Sequence, residues 1–570
     1  MGLSRREFLQ TLAAASVAGF SLDGRAAESS LATPYDLAPF GNVSLLHLTD
    51  VHGQLLPGYY REPSINLGLG EHCGQPPHLV GAALLKRYGI EPNSRAAHAF
   101  THLNFTAAAQ RYGRVGGFAH LATLLKQLRA QRPGAPLLDG GDSWQGSATA
   151  LWSNGQDMVD ASKLLGVDIM TGHWEFTLGA DRVMEIVEKD FSGKIDFLAQ
   201  NISTRDFGDA VFKSHVVREI NGVPVAVIGQ AFPYTPIANP AYKVPQWSFG
   251  IQEESLQHTI DALRGKGVGV IALLSHNGMD VDLKLASRVS GIDVIFGGHT
   301  HDATPVPVIV ANRSGKTLVT NAGSNGKFLG VMDLEVKAGR VTDFRYRLLP
   351  VFADLLAADP AMDALIKHHR EPYATELRQE LGVTETLLYR RGNFNGSFDQ
   401  LILNALLKAM DAQIAFSAGF RWGTALLPGA PITREDVMAQ TAITYPFTEV
   451  KEMTGADIKM ILEDKADNLF NADPYLQQGG DMTRVGGLQY SLEPAASIGK
   501  RIDNMTLNGK PMMDSHKYKV ASWGSLDENA SGPPVWNVIE QYLRDQPTVT
   551  AIPLNLPRLI GVDGNPGWDV

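Results

Sequence analysis

With 570 residues and a formal net charge of -10, the chain has no general attraction for nucleic acid or an anionic lipid surface, so an anionic substrate must be drawn in by a local feature. Hydrophobic residues make up 44% and charged residues 19%, a balance that excludes extended disorder. The length exceeds the roughly 250–300 residues at which one core stops growing, which predicts two domains with a short join.

The first element is an export signal. Ser4-Arg5-Arg6-Glu7-Phe8-Leu9 precedes an uncharged stretch over residues 11–22 and small residues at Ala26 and Ala27. That stretch is shorter than the roughly 20 residues needed to span a bilayer, so residues 1–27 read as a cleaved twin-arginine (Tat) signal. The mature protein is then expected in the periplasm with no membrane anchor. The single cysteine, Cys73, rules out an intrachain disulfide. It lies with His72 and His78 beside a Gly/Pro-rich stretch, residues 67–77, which reads as an irregular insertion without assigned chemistry.

From about residue 40 to 350, short apolar, β-branched runs alternate with helical stretches, and there is no internal repeat. This is the βαβ pattern of an α/β domain, with strands predicted over 43–48, 135–138, 167–170, 223–228, 268–274 and 292–296. Residues 351–382 read as a helical connection, with a helix over 361–380 broken at Pro372. A second mixed domain is expected over 383–570, with a helix over 398–411 and a strand over 518–522. Its expected contribution is a lid or a substrate-binding wall, since pockets favour domain junctions.

Five of the apolar runs end in metal-ligand residue types: Asp50-Val51-His52, Asp139-Gly140-Gly141-Asp142, Gly172-His173-Trp174-Glu175, Ser275-His276-Asn277 and Gly297-Gly298-His299-Thr300-His301. Singly these are weak signals. Asp-x-His is more often incidental, and Gly-Gly-Asp can be a tight turn with a capping Asp. Gly-Gly-His-Thr-His is stronger, because residues two apart on an extended chain point to one side and would face one centre. Ligands of open α/β sheets bind beyond the carboxyl ends of the strands, so the five segments can converge. His47 reads as core, and His368 and His369 as solvated helix positions.

Carboxylate oxygen and imidazole nitrogen without thiolate suit Mn, Fe or Zn. The ligand count fits two ions about 3.5–4 Å apart, bridged by Asp142 and holding a water acidified to near neutral pH as nucleophile. Two divalent ions bring four positive charges and Asp50 with Asp142 returns two. The centre therefore stays positive and favours a phosphate or sulfonate.

Asp50-Val51-His52, Gly141-Asp142-Ser143-Trp144-Gln145-Gly146-Ser147, Gly297-Gly298-His299-Thr300-His301 and Asn321-Ala322-Gly323 resemble the calcineurin-like metallophosphoesterases of the 5'-nucleotidase type. Phe416-Ser417-Ala418-Gly419-Phe420-Arg421 is similar to the substrate-contacting loop of that family's second domain, so the likeness spans nearly the whole mature chain. The resemblance implies an α/β (α+β) fold: a four-layer α/β/β/α sandwich followed by a 5'-nucleotidase-type α/β domain. It also implies that Asp50, His52 and His301 hold one ion, that His173, His276 and His299 hold the other, and that Asp142 bridges. Asn321 is implied as a substrate contact.

One motif departs. Where nucleotidases carry Gly-Asn-His-Glu-Phe-Asp, this chain has Gly172-His173-Trp174-Glu175-Phe176-Thr177. Trp174 and Thr177 replace the catalytic His/Asp pair, and neither can transfer the lost proton. An alkoxide leaving group needs that proton, whereas a thiolate or persulfide leaves as the anion. With Ala231-Phe232-Pro233-Tyr234-Thr235-Pro236, this departure resembles the thiosulfohydrolase branch of the family. The branch implies a dimanganese enzyme releasing sulfate from a thiosulfonate on a cysteine of the SoxYZ carrier protein in thiosulfate oxidation. On that reading Arg421 pairs with sulfonate oxygens, for which its planar fork is suited, the alternative being a surface arginine in a Gly-rich turn, and Trp174 either lines a channel for the carrier's arm or packs beneath the metals. The alternatives are a periplasmic 5'-nucleotidase or phosphoesterase, and a carrier-binding protein whose metals only stabilise the fold.

Overall fold

Two six-stranded sheets are built from the chain between residues 43 and 350 in the computed structural model, which describes residues 34–313, 315–392 and 394–569. The signal read over residues 1–27 lies outside the described residues. The first sheet runs Arg340–Pro350, Phe328–Lys337, Val43–Leu48, Leu137–Asp139, Ile169–Met170, Asp196–Phe197. The second runs Val308–Asn312, Gly315–Asn321, Val294–Gly297, Val270–Ser275, Val223–Gln230, His215–Ile220. In the second sheet the four inner strands pair in parallel and antiparallel strands close both edges. In the first, the strands from Val43–Leu48 to Asp196–Phe197 pair in parallel, and the antiparallel strands Phe328–Lys337 and Arg340–Pro350 close one edge only.

Alternation along the strands makes the layers. In the second sheet Val225, Val227, Val270, Ala272, Leu274, Val294 and Phe296 enter a core shared with the first sheet. Their neighbours Ala226, Ile228, Ile271, Leu273 and Ile295 point the other way, onto Leu256, Ile260 and Leu263 of the helix Glu253–Gly265 and Leu285 of Met279–Arg288. The helices Phe118–Gln131 and Gln156–Leu165 pack apolar faces into the shared core from the first sheet's side. The stack is therefore helix, sheet, sheet, helix, as the resemblance implied.

Beyond residue 350, Asp359 caps the helix Pro360–Arg370 by accepting from the Met362 N–H, with Pro360 at its first position. A turn at Glu371–Tyr373 interrupts it at Pro372, and Ala374–Leu377 ends the helical stretch. The strand Glu380–Thr384 already pairs with later strands, so the sheets of the carboxy-terminal part begin inside the stretch read as a connection. The predicted helix and strand of this part appear as Ser397–Ala409 and Lys517–Trp523. The end of the chain returns to the amino-terminal part. Gly567 O accepts from the Asn66 N–H at 2.8 Å, and the Asp569 N–H reaches Ser64 O at 3.0 Å.

Three local readings change. His369 is half-buried and lies 3.3 Å from Asp160, so it is not a free solvated position. His78 faces Asp280 at 3.1 Å in an ion pair, and Cys73 is exposed. The strands Phe328–Lys337 and Arg340–Pro350 were not among the predicted runs: charged, exposed residues alternate along Arg340–Pro350, and Asp333, buried against Arg132, breaks the apolar run of Phe328–Lys337. Among the described residues no helix is long and apolar enough to cross a membrane.

Candidate metal centre

Five segments leave the carboxyl ends of parallel strands and meet. Asp50 and His52 follow Val43–Leu48, Asp142 follows Leu137–Asp139, His173 follows Ile169–Met170, His276 follows Val270–Ser275, and His299 and His301 follow Val294–Gly297. All seven side chains are buried. Their ligand atoms form two groups, each with its atoms within 4.8 Å of one another: Asp142 with His173, His276 and His299, and Asp142 with Asp50, His52 and His301. Asp142 is common to both, which is the position of a bridging carboxylate.

The backbone is bent sharply to achieve this. Asp50 (φ 54°), His52 (49°), Asp142 (58°), His299 (73°) and His301 (58°) all adopt the left-handed conformation, which costs about 1–2 kcal/mol for a residue with a Cβ. His299 and His301 are therefore not on an extended chain, and they serve different groups instead of facing one centre. The bends are held by backbone bonds from Asp50 N to Gly141 O and from His52 N to Asp142 O, both 2.8 Å. Glu175, grouped with ligand types in the sequence, instead accepts from the N–H of Ser143 (2.6 Å), His173 (2.8 Å), Asp142 (3.1 Å) and Trp144 (3.2 Å). Gly298 allows close approach: a Cβ there would meet Thr49 Oγ1 at 2.5 Å and Asp50 Oδ2 at 3.1 Å.

Donor atoms converge at distances that ask for cations. His52 Nε2 and His301 Nε2 are 3.1 Å apart, and His301 Nε2 is 3.2 Å from Asp50 Oδ1. His276 Nε2 lies 3.0 Å from Asp142 Oδ2, and His173 Nδ1 lies 3.1 Å from Asp142 Oδ1. His276 Nδ1 donates to Gly140 O at 2.6 Å, leaving Nε2 as the lone pair. His299 Nδ1 is buried without a hydrogen-bond partner. Burial pushes the His52 imidazole down to about 4 and holds His299 and His301 well below the usual histidine range. The neutral ring is the form that binds a metal. Burial would raise Asp142, but His173 and His276 hold its carboxyl well below the ordinary value. Burial would lower His276 too, but Asp142 and Asp50 raise it to about 10, so a positive charge is favoured at that place. Orphaned nitrogens, the neutral rings of His52, His299 and His301, and an ionised shared carboxylate fit two divalent ions.

A cleft of about 400 Å³ opens onto this centre and is walled by both parts of the chain. Trp174 lies parallel to Tyr445 (ring centroids 5.8 Å, 2° apart) and edge-on to Trp422 (5.1 Å) and Phe420 (5.3 Å). Trp422 in turn stacks on His52 at 4.6 Å. Arg421 reaches the cleft too. Its Nε contacts Asp481 (3.2 Å), Nη1 donates to His299 O (3.2 Å) and Nη2 to Gly480 O (2.5 Å). Five guanidinium N–H donors less these three leave two for a ligand. Thr177, at the position of the missing acid, donates to Trp174 O at 2.7 Å. Asn321 is elsewhere: fully buried, with its side-chain N–H on Gly298 O at 3.4 Å, it does not line the cleft. Sequence reasoning missed Tyr445, Trp422, Asn239 and Gln478, which come from distant stretches with no local motif.

Residues 381–536 match the family model for the 5'-nucleotidase C-terminal domain. The rat (Rattus norvegicus) 5'-nucleotidase is 26% identical over 412 residues, covering 66% of this chain and 69% of that relative. The 5'-nucleotidase precursor of Thermus thermophilus superposes with a TM-score of 0.71 at 20% identity, covering 91% of this chain and 99% of that one, a likeness of fold alone. The Thermus thermophilus sulfate thiohydrolase SoxB superposes with a TM-score of 0.87 at 36% identity, covering 92% of this chain and 98% of that one. The fold and the paired donor groups define a hydrolase of the 5'-nucleotidase-like metallophosphoesterase class. Within it, the chain belongs to the family of the SoxB sulfate thiohydrolase.

Proposed function

We propose that this chain is a dimanganese hydrolase (an S-sulfosulfanyl-L-cysteine sulfohydrolase) that releases sulfate from a thiosulfonate on a cysteine of the SoxYZ carrier protein, in the periplasm after export by the twin-arginine route. The observation that carries this reading is Trp174 and Thr177 at the proton-transfer positions beside an intact double donor set. The SoxB relative supports it.

Asp50, His52 and His301 would hold one ion, His173, His276 and His299 the other, with Asp142 between them. When bound, the ions supply Lewis acidity and a water acidified to near neutral pH. The two free N–H donors of Arg421 orient the sulfonate oxygens, and its positive charge favours the anion. Trp174, Trp422 and Tyr445 keep bulk water from the scissile bond. Oxygen from water bonds to the sulfonate sulfur, the S–S bond breaks, and its electron pair leaves on the persulfide sulfur while the protons pass to solvent. No acid is required, because a persulfide is a stable anion near neutral pH.

Manganese-loaded protein incubated with thiosulfonated carrier should yield one sulfate per substrate. Absence of sulfate together with rapid AMP hydrolysis would replace this reading with the nucleotidase one, which the 5'-nucleotidase relatives favour. Carrier binding without any turnover would favour the non-catalytic alternative.

A further inference from the structure

The histidines of the two donor groups are supported differently. In the group of His173, His276 and His299, every ring has its outer nitrogen hydrogen-bonded: His276 to Gly140 O (2.6 Å), His299 to Gln478 O (3.1 Å) and His173 to Asn239 Oδ1 (3.1 Å). In the other group, Nδ1 of His52 and of His301 is buried without a hydrogen-bond partner. Two of the three supports depend on the carboxy-terminal part. Gln478 belongs to it, and Asn239 is seated by it, since Asn239 Nδ2 donates to Tyr445 Oη at 3.2 Å.

Asn239 is buried and closes the short helix Thr235–Ala238, its N–H on Thr235 O at 3.0 Å. With its amide nitrogen turned to Tyr445, its oxygen faces His173 and asks Nε2 to carry the hydrogen. Nδ1, the atom 3.1 Å from Asp142, is then left as a lone pair. Turned the other way, the amide would put a hydrogen on Nδ1, where it would oppose a cation.

We infer that Asn239 is a positioning residue for the cation held by His173, His276 and His299, and that Tyr445 of the carboxy-terminal part seats it, so that packing of that part sets the affinity of one of the two metal positions. The inference rests on the two-cation reading of the centre and is independent of the substrate.

The test is a Mn²⁺ titration of the full chain after chelator treatment, followed by calorimetry and electron paramagnetic resonance. Wild type should bind two Mn²⁺ per chain and show a spin-coupled pair. Asn239→Ala should lose about 10–100-fold in affinity for one ion, leave the other unchanged, and show an isolated Mn²⁺ signal at intermediate loading. Asn239→Asp offers only oxygens to the ring and should restore affinity to wild type or above. Tyr445→Phe should lose affinity for the same ion by a smaller factor. Two tight ions in Asn239→Ala, or equal damage by Ala and Asp, would overturn the role of Asn239 as tautomer setter. Unchanged affinity in Tyr445→Phe would overturn the contribution of the carboxy-terminal part. If Asn239→Ala does not fold, the Asp and Phe variants decide by the same criteria. Fewer than two ions in wild type would defeat the two-cation reading itself.

Discussion

The backbone N–H of Trp174 donates to Asp142 Oδ1 at 2.8 Å, so the carboxylate common to both donor groups also fixes the start of the turn that carries the cleft tryptophan. Asp142→Asn can keep this bond through its amide oxygen but turns an N–H₂ towards His276. The chain should fold, bind fewer than two Mn²⁺, and lose turnover by more than the roughly 10–100-fold typical of a lost outer partner. Elemental analysis beside sulfate release measures both. Full turnover in this variant would remove the bridging role.

Trp174 belongs to the amino-terminal part yet packs in the carboxy-terminal core with Phe398, Trp422 and Tyr445. Trp174→Ala opens a cavity at that junction and should cost about 3–5 kcal/mol, read as a lower urea midpoint. The KM for carrier-linked thiosulfonate should rise as the wall is lost. Trp174→Phe, which keeps part of the aromatic surface, should lie between the two.

Arg421 is tethered by Asp481, Gly480 O and His299 O, and presents its remaining donors to the cleft. Arg421→Lys keeps a charge but not the fork. Losing a charged hydrogen bond of about 1.5–3 kcal/mol predicts a fall in kcat/KM of about 10–150-fold, with Mn²⁺ binding unchanged. Steady-state kinetics with carrier-linked substrate would show it. An effect confined to metal content would mean that Arg421 acts through His299 instead.

The donors were legible because each stands immediately after an apolar run, where strand polarity alone places it at the sheet's binding edge. Inner strands were legible for the same reason, since burial on both faces leaves continuous apolar runs such as Val270–Ser275. The left-handed turns at Asp50, His52, Asp142, His299 and His301 were not. No residue type there demands positive φ, and the bends at Asp50, His52, Asp142 and His299 are held by tertiary bonds in which their N–H groups donate to Gly141 O, Asp142 O, the Glu175 carboxylate and the Asp50 carboxylate. The tether between Asn239 and Tyr445 was equally hidden, because 206 residues separate the partners. Asn321 shows the converse: its motif is plain in the sequence, but its side chain braces Gly298 behind the cleft.

His78, which is buried, and Asp280, which is half-buried, make a pair at 3.1 Å beside the junction of the two parts, and its contribution to stability has a definite pH window. Burial would lower His78, but Asp280 and Asp302 raise it overall, and burial would raise Asp280, but His78 lowers it overall. A raised histidine stabilises fully below its unfolded value of about 6.5 and loses that effect as pH climbs through its folded value. A depressed aspartate stabilises above about 3.9 and loses the effect as pH falls through its folded value. The pair therefore contributes most between those limits. The Tm difference between wild type and His78→Gln should be larger at about pH 5.5 than at about pH 8.5. A difference that grows towards alkaline pH would show that His78 acts as a neutral hydrogen-bonding ring and not as the cation of an ion pair.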